Sequence, residues 1–70
     1  MSTLPVLGRG SNGRSVKAMQ AMLNGYGYDC GSMDEIFGAN TLSALESYQK
    51  DYGLDVDGYC GPKTWGSLLE

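Results

Sequence analysis

Histidine is absent from these 70 residues, and cysteine and proline occur only twice each. Without histidine there can be no Ser-His-Asp or Cys-His nucleophilic system and no imidazole ligand for zinc. Two cysteines do not make a four-ligand structural zinc site either, so neither metal nor cofactor is expected. Positive charge is scarce. Arg9, Arg14, Lys17, Lys50 and Lys63 are the only cations, they form no run, and the net charge is −3. The electrostatic footprint of a nucleic-acid binder is missing, because phosphate contacts need clustered Lys and Arg. No apolar stretch approaches the roughly 20 residues that span a bilayer, and the N-terminus lacks a signal-peptide pattern. MSTLPVL reads as an initiator followed by a short tail, which puts a tail at residues 1–6 and one domain at residues 7–70. A monomer that binds neither nucleic acid nor membrane is the expectation.

Glycine and apolar side chains are plentiful. Eleven glycines and an apolar fraction of 41% describe a folded globule whose short elements are joined by tight turns. A chain this small buries only about 60% of its unfolded surface, so its stability is thin.

Apolar residues recur at helical spacing in three places. In SNGRSVKAMQAMLNGYG, Val16, Met19, Leu23 and Tyr26 mark one stripe, with Ser11 or Asn12 to cap it and Gly25 or Gly27 to end it. The spacing predicts a helix over about residues 12–24. In ANTLSALESYQKDYG the stripe is Leu42, Leu45, Tyr48 and Tyr52, and Gly53 is the natural stop. A short third helix begins at Pro62, a residue suited to the first helical position, and carries Trp65, Leu68 and Leu69 on its apolar side. The periodicity makes Tyr26, Tyr48, Tyr52 and Trp65 core residues, while Tyr28 and Tyr59 lie in turns and show a face to solvent.

The chain also repeats itself. Moving VDGYCGPKTWGSL back by 23 positions lays it on MDEIFGANTLSAL, so that Asp57 falls on Asp34, Gly61 on Gly38, Thr64 on Thr41 and Leu68 on Leu45. Each copy is an apolar–Asp–turn–Gly unit that runs straight into a helix start. Neither copy can bury its apolar face alone, and two of them packed on the first helix would close a small core. The expected fold is all-α, a small three-helix bundle with two related Asp-turn-Gly-helix motifs.

Two chemical readings of the repeat fail. A calcium loop needs oxygen ligands at fixed alternating positions, a turn glycine and a closing carboxylate. With Asp57-Gly58 in register that loop would open on Gly53 and close on Thr64, and the other copy has Glu35 where the glycine belongs. A glycosidase pair needs one carboxylic acid desolvated in a cleft. The acids here sit at expected turns and on solvated faces. Asp34 and Asp57 are best read as shaping the turns before their helices by accepting local N–H bonds.

Taken together, LGRGSNGRSVKAMQAMLNGYGY, FGANTLSALESYQKDYGL and VDGYCGPKTW resemble the peptidoglycan-binding domain family attached to bacterial and phage cell-wall hydrolases. The matching positions are Gly10, Ser11, Gly13, Val16, Met19 and Gln20, then Gly27 and Tyr28, then Asp34, Phe37, Gly38 and Thr41. Tyr48, Gln49, Gly53 and Leu54 follow, and Asp57, Gly58, Gly61, Pro62, Thr64 and Trp65 close the pattern. The resemblance implies a three-helix fold and a non-catalytic module that holds a covalently attached lytic enzyme on murein, outside the cell at the bacterial wall. A protein–protein docking module on the same fold is the alternative, since a fold does not dictate its ligand. Three departures stand out. Glu35 replaces a turn glycine, so the turn either avoids positive φ or is strained there. Tyr48 replaces phenylalanine and adds a hydroxyl that needs a partner. Cys60 takes the place equivalent to Phe37 and leaves room.

In a small extracellular domain two cysteines suggest a staple, so a Cys30–Cys60 disulfide is expected. The residues expected to bind ligand are Tyr28, Asp34, Asn40, Asp57, Tyr59 and Lys63, gathered around the turns in one shallow groove, with two helix N-termini presenting unpaired N–H groups.

Overall fold

A computed structural model describes residues 5–70. Three helices follow one another: α1 at Arg14–Gly25, α2 at Ala39–Asp51 and α3 at Pro62–Leu69. Among the described residues there is no strand, only two isolated antiparallel bridges, Leu7 with Cys60 and Asn12 with Ile36. The three-helix reading of the sequence holds, and α3 starts at Pro62 as expected. Of the expected tail, residues 1–4 lie outside the described residues, while the carbonyl of Pro5 accepts a hydrogen bond from the Trp65 indole N–H at 2.9 Å.

The core is built by one face of each helix. Val16, Met19 and Leu23 come from α1, Ala44, Leu45 and Tyr48 from α2, and Trp65 and Leu68 from α3. Leu7, Cys30, Phe37 and Cys60 complete it from the connections. Phe37 and Cys60 occupy matching positions of the two repeats, and the smaller side chain is accompanied by the N-terminal segment. Leu7 and Cys60 exchange backbone hydrogen bonds of 3.2 and 2.8 Å, and Leu7 is buried there.

The start of α1 departs from expectation. Gly13, at φ 116°, is its N-cap, and no side chain caps the helix. Ser11 turns the other way, its Oγ accepting the N–H of Gly8 at 3.1 Å. Two of the four aromatics assigned to the core are partly out of it. Tyr48 and Trp65 are buried, but Tyr26 and Tyr52 are 40% and 48% exposed. Both lie at the C-terminal ends of their helices, and they pack on Tyr48 as a cluster, with Tyr52 stacked on it at 4.2 Å and Tyr26 tilted against it at 5.5 Å. The additional hydroxyl of Tyr48 finds its partner in Ser67 Oγ at 2.6 Å.

The expected disulfide is not formed: Cys30 and Cys60 are both free and buried. Each has its own neighbours, Cys30 in the connection after α1 and Cys60 in the second copy of the repeat. Cys30 lies on α1, its thiol directed to the Gln20 carbonyl at 3.5 Å and to Asn24 Oδ1 at 3.3 Å. Cys60 stands at the Phe37-equivalent position beside Leu7. Burial pushes the Cys30 thiol up and the Cys60 thiol up to about 12, so both stay protonated and unreactive in the folded protein. Intact mass is therefore expected to be the same with and without reductant, and alkylation of either thiol to require denaturant. A mass that rises on reduction would restore the disulfide.

Candidate functional site

The two Asp turns are each clamped by a glutamine that reaches out of the preceding helix. Gln20, fully buried in α1, donates from Nε2 to Asp34 Oδ1 at 3.3 Å, to the Ile36 carbonyl at 3.0 Å and to Thr41 Oγ1 at 3.0 Å. Its Oε1 accepts the Glu35 N–H at 3.2 Å. Gln49 of α2 repeats the set. Its Nε2 reaches Asp57 Oδ1 at 3.1 Å, the Tyr59 carbonyl at 2.9 Å and Thr64 Oγ1 at 3.2 Å, and its Oε1 takes the Gly58 N–H at 3.3 Å. Two amide protons serve three acceptors in each clamp, so one proton is shared. All the groups involved are satisfied, which matters because an unpaired buried polar atom is expensive.

Each aspartate closes its turn locally as well. Asp34 Oδ1 accepts the Ile36 N–H at 3.0 Å and Asp57 Oδ1 the Tyr59 N–H at 2.9 Å. These backbone bonds first, and the glutamine amide second, hold both carboxyls below the usual carboxylate range. At the position between, Glu35 takes φ 68° and Gly58 φ 74°. Glu35 therefore accepts the left-handed backbone that its glycine counterpart enters freely, at a cost of about 1 kcal/mol or more. The hydrogen bond to Gln20 holds it there.

In front of each clamped turn lies a surface groove. The first, of about 200 Å³, is lined by Ser32, Asp34, Ile36, Ala39, Asn40 and Thr41 among others. The second, of about 310 Å³, is lined by Asp55, Asp57, Tyr59, Pro62, Lys63 and Thr64, with Leu54 at its edge. These two sets are the same positions of the repeat, 23 residues apart. The structure therefore distributes five of the six expected ligand residues between two grooves. Asp34 and Asn40 belong to the first, and Asp57, Tyr59 and Lys63 to the second. Tyr28 lines neither. It is half-buried, edge-on to Tyr48 at 5.5 Å, and its hydroxyl donates to Asp51 Oδ2 at 2.7 Å. That bond, above all, pushes its phenol up to about 12.

Gln20 and Gln49 are the residues whose role sequence reasoning missed. A signal was present, since each glutamine follows a buried apolar residue by four positions (Val16 and Leu45) and so lies on the apolar stripe. It was masked because Gln20 stands 14 residues before Asp34 whereas Gln49 stands only 8 before Asp57. A single shift of 23 aligns the turns and misaligns the clamps.

Comparison with known proteins follows this architecture. Residues 12–68, which include both clamps and both grooves, match the family model described as "Putative peptidoglycan binding domain". The chain is 48% identical over 56 residues to the N-acetylmuramoyl-L-alanine amidase CwlM of Mycobacterium tuberculosis, covering 80% of this chain and 14% of that protein. It is 41% identical over 65 residues to a spore cortex-lytic enzyme of Bacillus cereus, covering 93% of this chain and 25% of the enzyme. Among solved structures, the SleB N-terminal domain superposes with a TM-score of 0.91 at 37% identity, covering 96% of this chain and 92% of that one. The chain thus spans a quarter or less of the two curated relatives and nearly the whole of the isolated domain.

Proposed function

This chain belongs to the peptidoglycan-binding domain family, and from that premise we propose that it holds a covalently attached lytic enzyme on the bacterial wall, outside the cell, without activity of its own. The observation that carries this reading is the extent of the family match, which takes in both glutamine-clamped turns and the grooves in front of them. The electrostatics support a binding rather than a catalytic role. A general acid working near neutral pH needs a raised carboxyl pKa, whereas Asp34 and Asp57 are both held down by the bonds that shape their turns. Asn40, Tyr59 and Lys63 are exposed beside those turns and are the contacts proposed for the ligand, with Asp34 and Asp57 as supports. Among the described residues no helix is long and apolar enough to cross a membrane.

Sedimentation with purified sacculi tests the reading. The protein is expected to co-sediment with sacculi and to stay in solution with cellulose. Asn40→Ala and Tyr59→Ala, both folded by circular dichroism, are each expected to weaken retention about fivefold, on the order of 1 kcal/mol. Tyr28→Ala is expected to lower the melting temperature more than it lowers retention. Equal retention on sacculi and cellulose would point to the alternative, a docking module for another protein.

A further inference from the structure

The two grooves share one scaffold and differ in what they present. Aspartate, the glycine before the helix and the buried threonine are the same in both, as are the clamping glutamines. The exposed lining positions are not. Ser32, Ile36, Ala39 and Asn40 of the first groove become Asp55, Tyr59, Pro62 and Lys63 in the second. The first groove thus offers a neutral amide and a hydroxyl beside one carboxylate. The second offers an ammonium, two carboxylates and two apolar ring surfaces in a larger volume.

Tyr59 is a fixed wall of that second groove. The Cδ1–Cε1 edge of its ring abuts Gly8, where a methyl group would come within 2.6 Å of both atoms. Its carbonyl and N–H are held by Gln49 and Asp57, and yet it remains 55% exposed. A rigid apolar face flanked by charges of both signs matches a short peptide that carries both a free carboxylate and a free ammonium. A sugar ring has no charge to satisfy Lys63 or the two aspartates.

We propose that the second groove binds the peptide part of peptidoglycan, with Lys63 opposite a carboxylate, Asp55 or Asp57 opposite an ammonium, and Tyr59 and Pro62 against the aliphatic chain between. This rests on the wall-binding reading and assigns the part of the wall that this groove takes. The first groove, which lacks a cation, is not a site for that peptide.

The test is an NMR titration of the ¹⁵N-labelled chain with three probes: the N-acetylated pentapeptide acetyl-L-Ala-γ-D-Glu-L-Lys-D-Ala-D-Ala, the same peptide with its lysine also acetylated and its carboxyls amidated, and an N-acetylglucosamine tetramer. The charged peptide is expected to shift amides of residues 54–64 saturably and to leave residues 32–41 in place. The charged peptide on K63Q is expected to bind about tenfold more weakly, the loss of one charge-assisted contact, and the blocked peptide, which loses two, more weakly still. Lys63 is exposed, so K63Q keeps the fold. Indifference of residues 54–64 to the charged peptide, equal binding of the blocked form, or an unaltered K63Q would overturn the assignment. Retention on sacculi alongside any of these results leaves wall binding intact and removes only the peptide assignment. Loss of sacculus retention as well removes both.

Discussion

Gln49→Leu is expected to unfold the domain or bring it to the edge of unfolding. The substitution keeps much of the side chain's volume but removes all four bonds by which Gln49 holds the second turn and Thr64. The Gly58 N–H and the Thr64 hydroxyl are then left in buried surroundings without a partner, at about 1–3 kcal/mol each. A domain of this size has a margin of only about 3–5 kcal/mol from a single core. Urea unfolding followed by circular dichroism measures the loss directly, and a cost under about 1 kcal/mol would mean that the clamp is incidental. Gln49→Glu separates the hydrogen bonds from the volume. It puts a second carboxyl against Asp57 Oδ1, which sits 3.1 Å from the native amide nitrogen. Two neighbouring carboxylates resist joint ionisation, so the introduced group titrates above its unfolded value. Raised folded pKa means stability that is present at low pH and lost as pH climbs. The Q49E variant is thus expected to be relatively more stable in acid than at neutrality. The wild type follows the opposite rule, because Asp34 and Asp57 are held below their ordinary range. Their contribution is present at neutral pH and disappears as pH falls through the folded values.

Leu45→Ala is the second large effect. Leu45 is completely buried in the middle of α2. Truncating it removes three carbons from the point where α1 and α2 pack, and such changes cost about 2–5 kcal/mol according to how far the site can relax. There is little to relax here, since Val16, Met19, Leu23 and Tyr48 in the same core are themselves without solvent exposure. Thermal melting of the variant should show either a steep fall in the midpoint or no cooperative transition. A loss below about 1 kcal/mol would place Leu45 outside the core that holds the helices together.

These two residues show different degrees of legibility. Leu45 could be assigned to the core from periodicity alone, because a 3.6-residue repeat of apolar side chains defines one helix face whatever it packs on. The same reasoning located the three helices, the start of α3 at Pro62 and the burial of Trp65 and Tyr48. Gln49 lies on that buried face too, but periodicity says nothing about which polar groups will meet it there. Its partners belong to a turn eight or more residues further on, brought back only when the chain folds over α2.

What the amino-acid sequence determined by itself was therefore whatever depends on neighbours in the chain: three amphipathic helices, the duplicated Asp-turn-Gly entry into two of them, the exclusion of histidine chemistry, and the family resemblance carried by those motifs. Tertiary structure decided the rest. It kept Cys30 and Cys60 unpaired, Cys30 directed to Gln20 and Asn24 of α1 and Cys60 paired through its backbone with Leu7. It left Tyr26 and Tyr52 at the rim, where the helices end and the core runs out. It split five of the six expected ligand residues between two grooves and left Tyr28 outside both, because the repeat places its turns on two separate helix starts rather than around one hollow. Local spacing sets which way a side chain faces on its own element. Which elements then face one another is settled only by closing a single core around side chains distant in sequence, with every buried polar group finding a partner.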